Sequence, residues 1–198
     1  MRTVVLAVLA LAIAACTTQR DTVPVRSASE QLIISTAIER SVVQLKFELP
    51  AGTRVFVETA YLDGYDNKYV TGTVRDRLLR EGMRLAPDRG AADAVVELRA
   101  GAMSVDERAV LLGIPSFELP VPLAGQARTP ELALFKKADR LGVAKIAATT
   151  FDARTGALIK PGDPEYGVSH RTQYTVLLLI SWTTTDVQGE RSTHDLID

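Results

Sequence analysis

At 198 residues, with 23 Lys and Arg against 24 Asp and Glu, the chain is close to neutral and long enough for one ordinary domain with a real core. No basic stripe and no Lys/Arg run interleaved with aromatics is present to neutralise phosphates, so no nucleic-acid partner is expected. A single cysteine excludes a disulfide framework, and no internal repeat or low-complexity tract interrupts the sequence.

The chain begins with one basic residue, Arg2, followed by twelve apolar positions from Val4 to Ala15. That run falls short of the ~20 residues a membrane-spanning helix needs, and a basic start, an apolar middle and small residues at the end make the layout of a secretory signal. The residues Ile13-Ala14-Ala15-Cys16 resemble the lipobox of bacterial lipoproteins. That resemblance implies cleavage before Cys16 and acylation of the new N-terminus. It also implies three acyl chains on Cys16, whereas one chain would bind a membrane only marginally, at ~0.8 kcal/mol per buried methylene. Thr17 and Thr18, in place of Asp, are similar to the sorting signal for the outer membrane facing the periplasm. Residues 1-15 are thus read as signal peptide, 16-28 as lipidated cysteine and tether, 29-186 as one globular domain, and 187-198 as a polar tail.

Ser27-Ala-Ser-Glu30 is a capping-box pattern. Behind it Ile34, Ile38, Val42 and Leu45 share one face and predict a first helix. Arg54 to Ala60 is β-branched and aromatic after a Pro-Ala-Gly turn, which predicts a strand. Asp66-Asn67 can cap a second helix bearing Val70, Val74, Leu78 and Leu79, stopped at Gly82. Ala94 to Ser104 reads as a second long strand. Val143 to Phe151 and Ala157 to Lys160 flank Asp152-Ala-Arg-Thr-Gly156 as a hairpin. Val176 to Ile180 reads as a buried strand within Thr172 to Thr185. Residues 129-140 carry signals of both a helix start and a hairpin arm, and the strand reading is preferred. Helices early and strands late give an α+β fold, two helices packed on a mostly antiparallel β-sheet in a single domain.

Leu78-Leu-Arg-Glu-Gly82, then Ala92-Asp93 and the strand AVVEL, together with Phe151-Asp-Ala-Arg-Thr-Gly-Ala157, resemble the core of periplasmic lipoproteins related to the curli secretion lipoprotein and the N-terminal domain of the Tol translocation protein. Thr59-Ala-Tyr-Leu-Asp-Gly-Tyr-Asp66 and Thr129-Pro-Glu-Leu-Ala-Leu134 are similar to an uncharacterised bacterial lipoprotein family of unknown function. The first resemblance implies the fold and not an activity.

Candidate sites are few. Asp63 and Asp66, among Tyr61, Tyr65 and Tyr69, could face a ligand; a turn at Asp63-Gly64 and a helix cap explain the same residues, and the spacing does not match a calcium loop. His170 and His194 lack the spacing of a zinc site. Ser169 and His170 are adjacent, hence on opposite faces of a strand, and no Gly-x-Ser-x-Gly elbow occurs. No cofactor, no metal and no catalysis are expected. The segment Ala109 to Gln126 has one charge and three prolines and reads as an irregular apolar loop. Its Leu111, Leu112, Ile114, Phe117 and Leu119 either cap an open end of the core or form a docking surface for a partner protein, a membrane or a neighbouring copy. The expected function is a non-enzymatic, membrane-anchored lipoprotein with a partner-binding or structural role in envelope assembly or transport. The alternatives are a subunit of an oligomeric secretion-type complex and a small-ligand binder or enzyme using the Tyr61 to Tyr69 loop.

Overall fold

The computed structural model describes residues 26-121 and 125-187; the signal, Cys16, the rest of the tether to residue 25, His194 and the tail from residue 188 lie outside the described residues. Helix α1 spans Ala28–Val42 and starts on Ser27, whose hydroxyl accepts from the Glu30 amide at 3.3 Å. Only half of the capping box forms, because the Glu30 carboxylate turns to Arg26 at 3.2 Å. Strand β1 (Arg54–Tyr61) leads to α2 (Asn67–Arg80). The end of α2 is a left-handed stop: Gly82 has φ 87°, its amide bonds to the Leu79 carbonyl, and the Met83 amide reaches back to Leu78. Leu79, expected on the packed face of α2, is exposed.

β2 (Arg84–Leu85) and a short 3-10 turn (Arg89–Ala91) follow, then β3 (Ala94–Ile114), β4 (Glu118–Val121), β5 (Gly125–Arg128), β6 (Leu132–Asp152), β7 (Leu158–Lys160), β8 (Pro164–Val176) and β9 (Ile180–Thr185). The main sheet runs β2-β1-β3-β6-β8-β9, with β7 beside the last residues of β6. β1 is parallel to β2 and β3, while β3, β6, β7, β8 and β9 pair antiparallel. This is the expected α+β architecture, two helices on a mixed, mostly antiparallel sheet. Residues 129-140 resolve as strand from Leu132 onward.

The core lies between the helices and one half of the sheet. Ile34, Ile38 and Val42 of α1 and Val70, Val74 and Leu78 of α2 meet Val96, Leu98, Ala144 and Ile146 from β3 and β6. Each of the valine, leucine and isoleucine side chains contributes on the order of 1.5–3 kcal/mol by leaving water. Glycine lets α1 come close to β8: a Cβ on Gly167 would sit 1.8 Å from the Ala37 carbonyl oxygen. Beside it the buried Ser169 hydroxyl donates to the Ile33 carbonyl at 2.6 Å. These contacts set the helix direction. Ser29 lies near Arg140, and Ser41 donates to the Glu165 carbonyl. The N-terminus of α1 therefore faces the C-terminal end of β8, and the strands continue beyond it.

Two expectations are corrected here. Residues 109-126 are not an irregular loop. β3 continues through Ile114, paired with β6 down to Leu132, and Glu118–Val121 pairs antiparallel with Gly125–Arg128 as the separate two-stranded sheet β4-β5. The prolines misled because Pro115 follows the end of β3, and Pro120 sits in a two-stranded ladder that has only edges, where proline is tolerated. Val176 to Ile180 is not a buried strand. Val176 pairs with Ile180, and Leu177-Leu178-Leu179 between them form the hairpin turn. An apolar pentapeptide has the composition of a buried strand whether it is buried or folded back on itself.

Candidate functional site

The four strands β3, β6, β8 and β9 form an arm that projects past the helix layer. From Arg140, beside the start of α1, to Leu132 at the end of β6 is eight residues, or about 26 Å of strand. Because side chains alternate between faces, paired positions form rows. The outermost row on the face away from the helices is Leu112, Phe135, Val176 and Ile180, each paired with the next. Two residues inward comes Val110, Lys137, Tyr174 and Trp182. The rings of Tyr174 and Trp182 stack, with centroids 5.1 Å apart and planes 14° from parallel. The third row is Arg108, Asp139, Thr172 and Thr184. Here Asp139 accepts from Lys137 at 2.8 Å and from the Thr172 hydroxyl at 2.8 Å. Those bonds hold its carboxyl below the ordinary carboxylate range, the Lys137 bond contributing most.

The opposite face of the arm is polar: Glu107 pairs with Arg140 at 3.0 Å, Lys136 with Glu131 at 2.8 Å, and Thr175 meets Ser181 at 2.9 Å. Beyond both faces lies the turn. Leu179 is 89% exposed, and Leu177 and Leu178 are also exposed. Their amides tie the turn to β6, Leu177 to the Leu134 carbonyl at 2.9 Å and Leu178 to that of Ala133 at 3.0 Å. Leu177 and Leu178 have φ of 51° and 67°, a left-handed conformation that costs a branched side chain roughly 1–2 kcal/mol per residue. Hairpin turns requiring positive φ ordinarily carry Asn or Gly.

The expected docking residues divide accordingly. Leu112 is 64% exposed at the head of the outer row, Ile114 and Phe117 are exposed just beyond it, and Leu111 is half-buried on the polar face. None of these four joins the buried core, which corrects the expectation that they cap it. Leu119 pairs with Ala127 in the β4-β5 sheet. Sequence reading missed Phe135, Leu177 to Ile180, and the stacked Tyr174 and Trp182. Alternation along β8 could have pointed to Tyr174; the rest depend on strand pairing.

Asp63 and Asp66 lie in the loop between β1 and α2 and have different surroundings. Asp63 is exposed, while Asp66 holds the Arg26 guanidinium at 2.7 Å. Asp66 occupies the position before α2 but makes no side-chain cap bond, because Arg26 takes its carboxylate. Of the three tyrosines, Tyr69 donates to Glu39, which with burial pushes its hydroxyl pKa up to about 12. Tyr61 and Tyr65 stand free in solvent at 66% and 86% exposure.

His170 is exposed on β8, opposite in direction to the buried Ser169, so the two do not form a nucleophile-base pair. Its amide donates to Asp186 at 2.7 Å, and Arg40 donates to the same carboxylate at 2.6 Å. Burial works to raise the Asp186 pKa, but these bonds outweigh it and hold the carboxyl low. The group fastens the end of β9 to α1. Among the described residues no three His, Cys, Asp or Glu come together as a metal site, and no helix is long and apolar enough to cross a membrane.

No curated protein matches the chain. A family model does match residues 10–162, and on that match the chain belongs to DUF6655, a family of unknown function.

Proposed function

We propose that the protein is a non-enzymatic lipoprotein of the cell envelope, anchored through acyl chains on Cys16 to the periplasmic face of the outer membrane, and that its domain works by binding. The observation that carries this reading is the distribution of exposed apolar surface. Leucine, isoleucine and aromatic residues gather at one end of the arm, and contiguous apolar exposure marks a surface built to meet something. The likeness of the helix-strand core and the Asp152 turn to the curli secretion and Tol N-terminal group supports a role in envelope assembly or transport, including membership of an oligomeric complex.

The test is fatty-acid labelling in cells with membrane fractionation. Native protein should carry label and fractionate with the outer membrane, and Cys16→Ala should carry none. Unlabelled native protein recovered in the soluble fraction would sink the proposal.

The exposed Tyr61 and Tyr65 favour a second reading, a small-ligand site in the loop before α2. An Asp63→Asn, Asp66→Asn double variant separates the two. Loss of stability alone returns Asp66 to its role of holding Arg26, whereas lost binding of a small molecule on an intact fold would establish the site.

A further inference from the structure

We infer that the apolar end of the arm, the Leu177-Leu178-Leu179 turn with the row Leu112, Phe135, Val176 and Ile180, inserts into the interfacial layer of the same membrane that holds Cys16. This rests on the anchoring proposed above, and it names the bilayer as the occupant of the bare surface.

Three observations point to lipid. The first is the order of the rows. Outward from the helix layer, one face of the arm passes from Arg108 and Asp139, through Lys137 with the Tyr174-Trp182 stack, to the wholly aliphatic and aromatic outer row, then to three leucines. Charge, then aromatic rings with a lysine, then hydrocarbon is the order met on entering a bilayer, where Trp and Tyr settle at headgroup level. Rows on one face are about 7 Å apart, so the apolar zone matches the ~5–10 Å depth of an interfacial contact. It falls well short of the ~30 Å hydrocarbon thickness.

The second is the turn itself. Leu177 and Leu178 occupy left-handed positions where Asn or Gly would be less strained, and strain of this kind is found where function demands it. Water gives no return for that strain; hydrocarbon does.

The third is the place where the chain enters the domain. Arg26 stands two residues before α1, and Ser29 in the first turn of that helix accepts from the Arg140 guanidinium at 3.4 Å, which puts the start of α1 at the base of the arm with its N-terminus toward the tip. The ten residues from Cys16 to Arg26 span at most about 35 Å, against about 26 Å for the arm from Arg140 to Leu132. The anchor and the tip can therefore reach one membrane together. Acyl chains and the hairpin tip then act as two signals on one surface, and they fix the orientation of the domain as well as its attachment.

Trp182 is the sole tryptophan in the chain and stands in the second row, so its fluorescence reads tip insertion directly. The full mature lipoprotein is reconstituted into phosphatidylethanolamine-phosphatidylglycerol vesicles, with and without brominated acyl chains. Native protein should show blue-shifted emission and lose much of it to the brominated lipid. A Leu178→Gly, Leu179→Asp variant should lose the quenching while still floating with the vesicles through Cys16. Leu178→Gly alone relieves the turn conformation, so weaker quenching in a variant that folds at least as well cannot be ascribed to misfolding. Native protein that floats without quenching would overturn the inference, as would quenching that survives both variants. A blue shift without bromine quenching, at doubled particle mass, would assign the surface to a second copy and overturn it too. A Cys16→Ala chain that floats as well as native protein would instead refute the anchor and leave the Trp182 reading standing.

Discussion

The same three strands, β3, β6 and β8, lead two different lives along their length. Near Leu98, Ile146 and Gly167 they lie under two helices and form the floor of the core. Past Arg140 they have no helix above them and still stay paired, row by row, to Leu112, Phe135 and Val176. Backbone pairing is common to both halves, so it does not explain why only one half is covered. Side-chain size and polarity explain it: small residues and glycine let α1 lie close in the first half, and Glu107, Lys136 and Arg140 keep the same face wet in the second. The arm spends its apolar residues on the other face and at its tip.

The sharpest way to break this contrast is to fill the gap under α1. Gly167→Ala would place a methyl group 1.8 Å from the Ala37 carbonyl oxygen, forcing helix and strand apart, and should cost about 3 kcal/mol. Leu112→Ser, on the bare arm, should stay within about 0.5 kcal/mol. Urea denaturation of both variants checks the pair, and similar losses would show that the arm is part of the core after all. Next in size is Ser169→Ala. It removes the buried hydroxyl bond to the Ile33 carbonyl and should lower stability by about 1 kcal/mol with no change in denaturant slope. A neutral result would mean that α1 is seated by shape alone.

Much of the covered half is legible in the sequence, because burial leaves periodic traces there. The α1 face at Ile34, Ile38 and Val42 and the stop at Gly82 appear in the structure where spacing and glycine place them. The arm is less legible, since its two faces are both in contact with solvent and alternation loses its contrast. β3 beyond Ser104 passes through Asp106, Glu107 and Arg108, which reads as the end of a strand, and the three leucines of the turn read as burial when they mean exposure. The apolar row at the end of the arm is hardest of all to see in the chain. Leu112, Phe135, Val176 and Ile180 are spread over 69 positions and meet only through strand register. Asp66 shows the same limit on a small scale: its place before a helix suggests a cap, and Arg26, 40 residues away, claims it.

Leu178→Gly carries the opposite sign. Glycine adopts a φ of 67° without the branched side chain's penalty, although it also gives the unfolded chain more freedom. The balance should raise the stability of the detergent-solubilised protein by about 0.5 kcal/mol. Thermal unfolding measures it, and a loss in place of the gain would mean that Leu178 packs on the arm and does not merely tolerate its conformation.

The smallest effect belongs to the far end of the sheet, which is tied by charge where the arm is open and apolar. Asp93, just before β3, accepts from the Arg54 side chain at 2.6 Å and 3.1 Å and from the Arg54 amide at 3.0 Å. The side-chain bonds come first and the amide bond second in holding its carboxyl down, at about 2 against an ordinary 3.8. A lowered folded-state pKa favours the folded chain when the group is ionised. The stabilisation is therefore complete above the ordinary value and drains away as pH falls from near 4 to near 2. Asp93→Asn removes that dependence. Native protein and variant should differ by a constant margin in urea midpoint above about pH 5 and converge toward pH 2. Because both partners are about half exposed, the margin should also shrink in salt. No gap above pH 5 would show that Asp93 acts through its shape and its backbone, whose carbonyl accepts from the Ala153 amide in both chains, and that this end of the sheet is closed by geometry and not by charge.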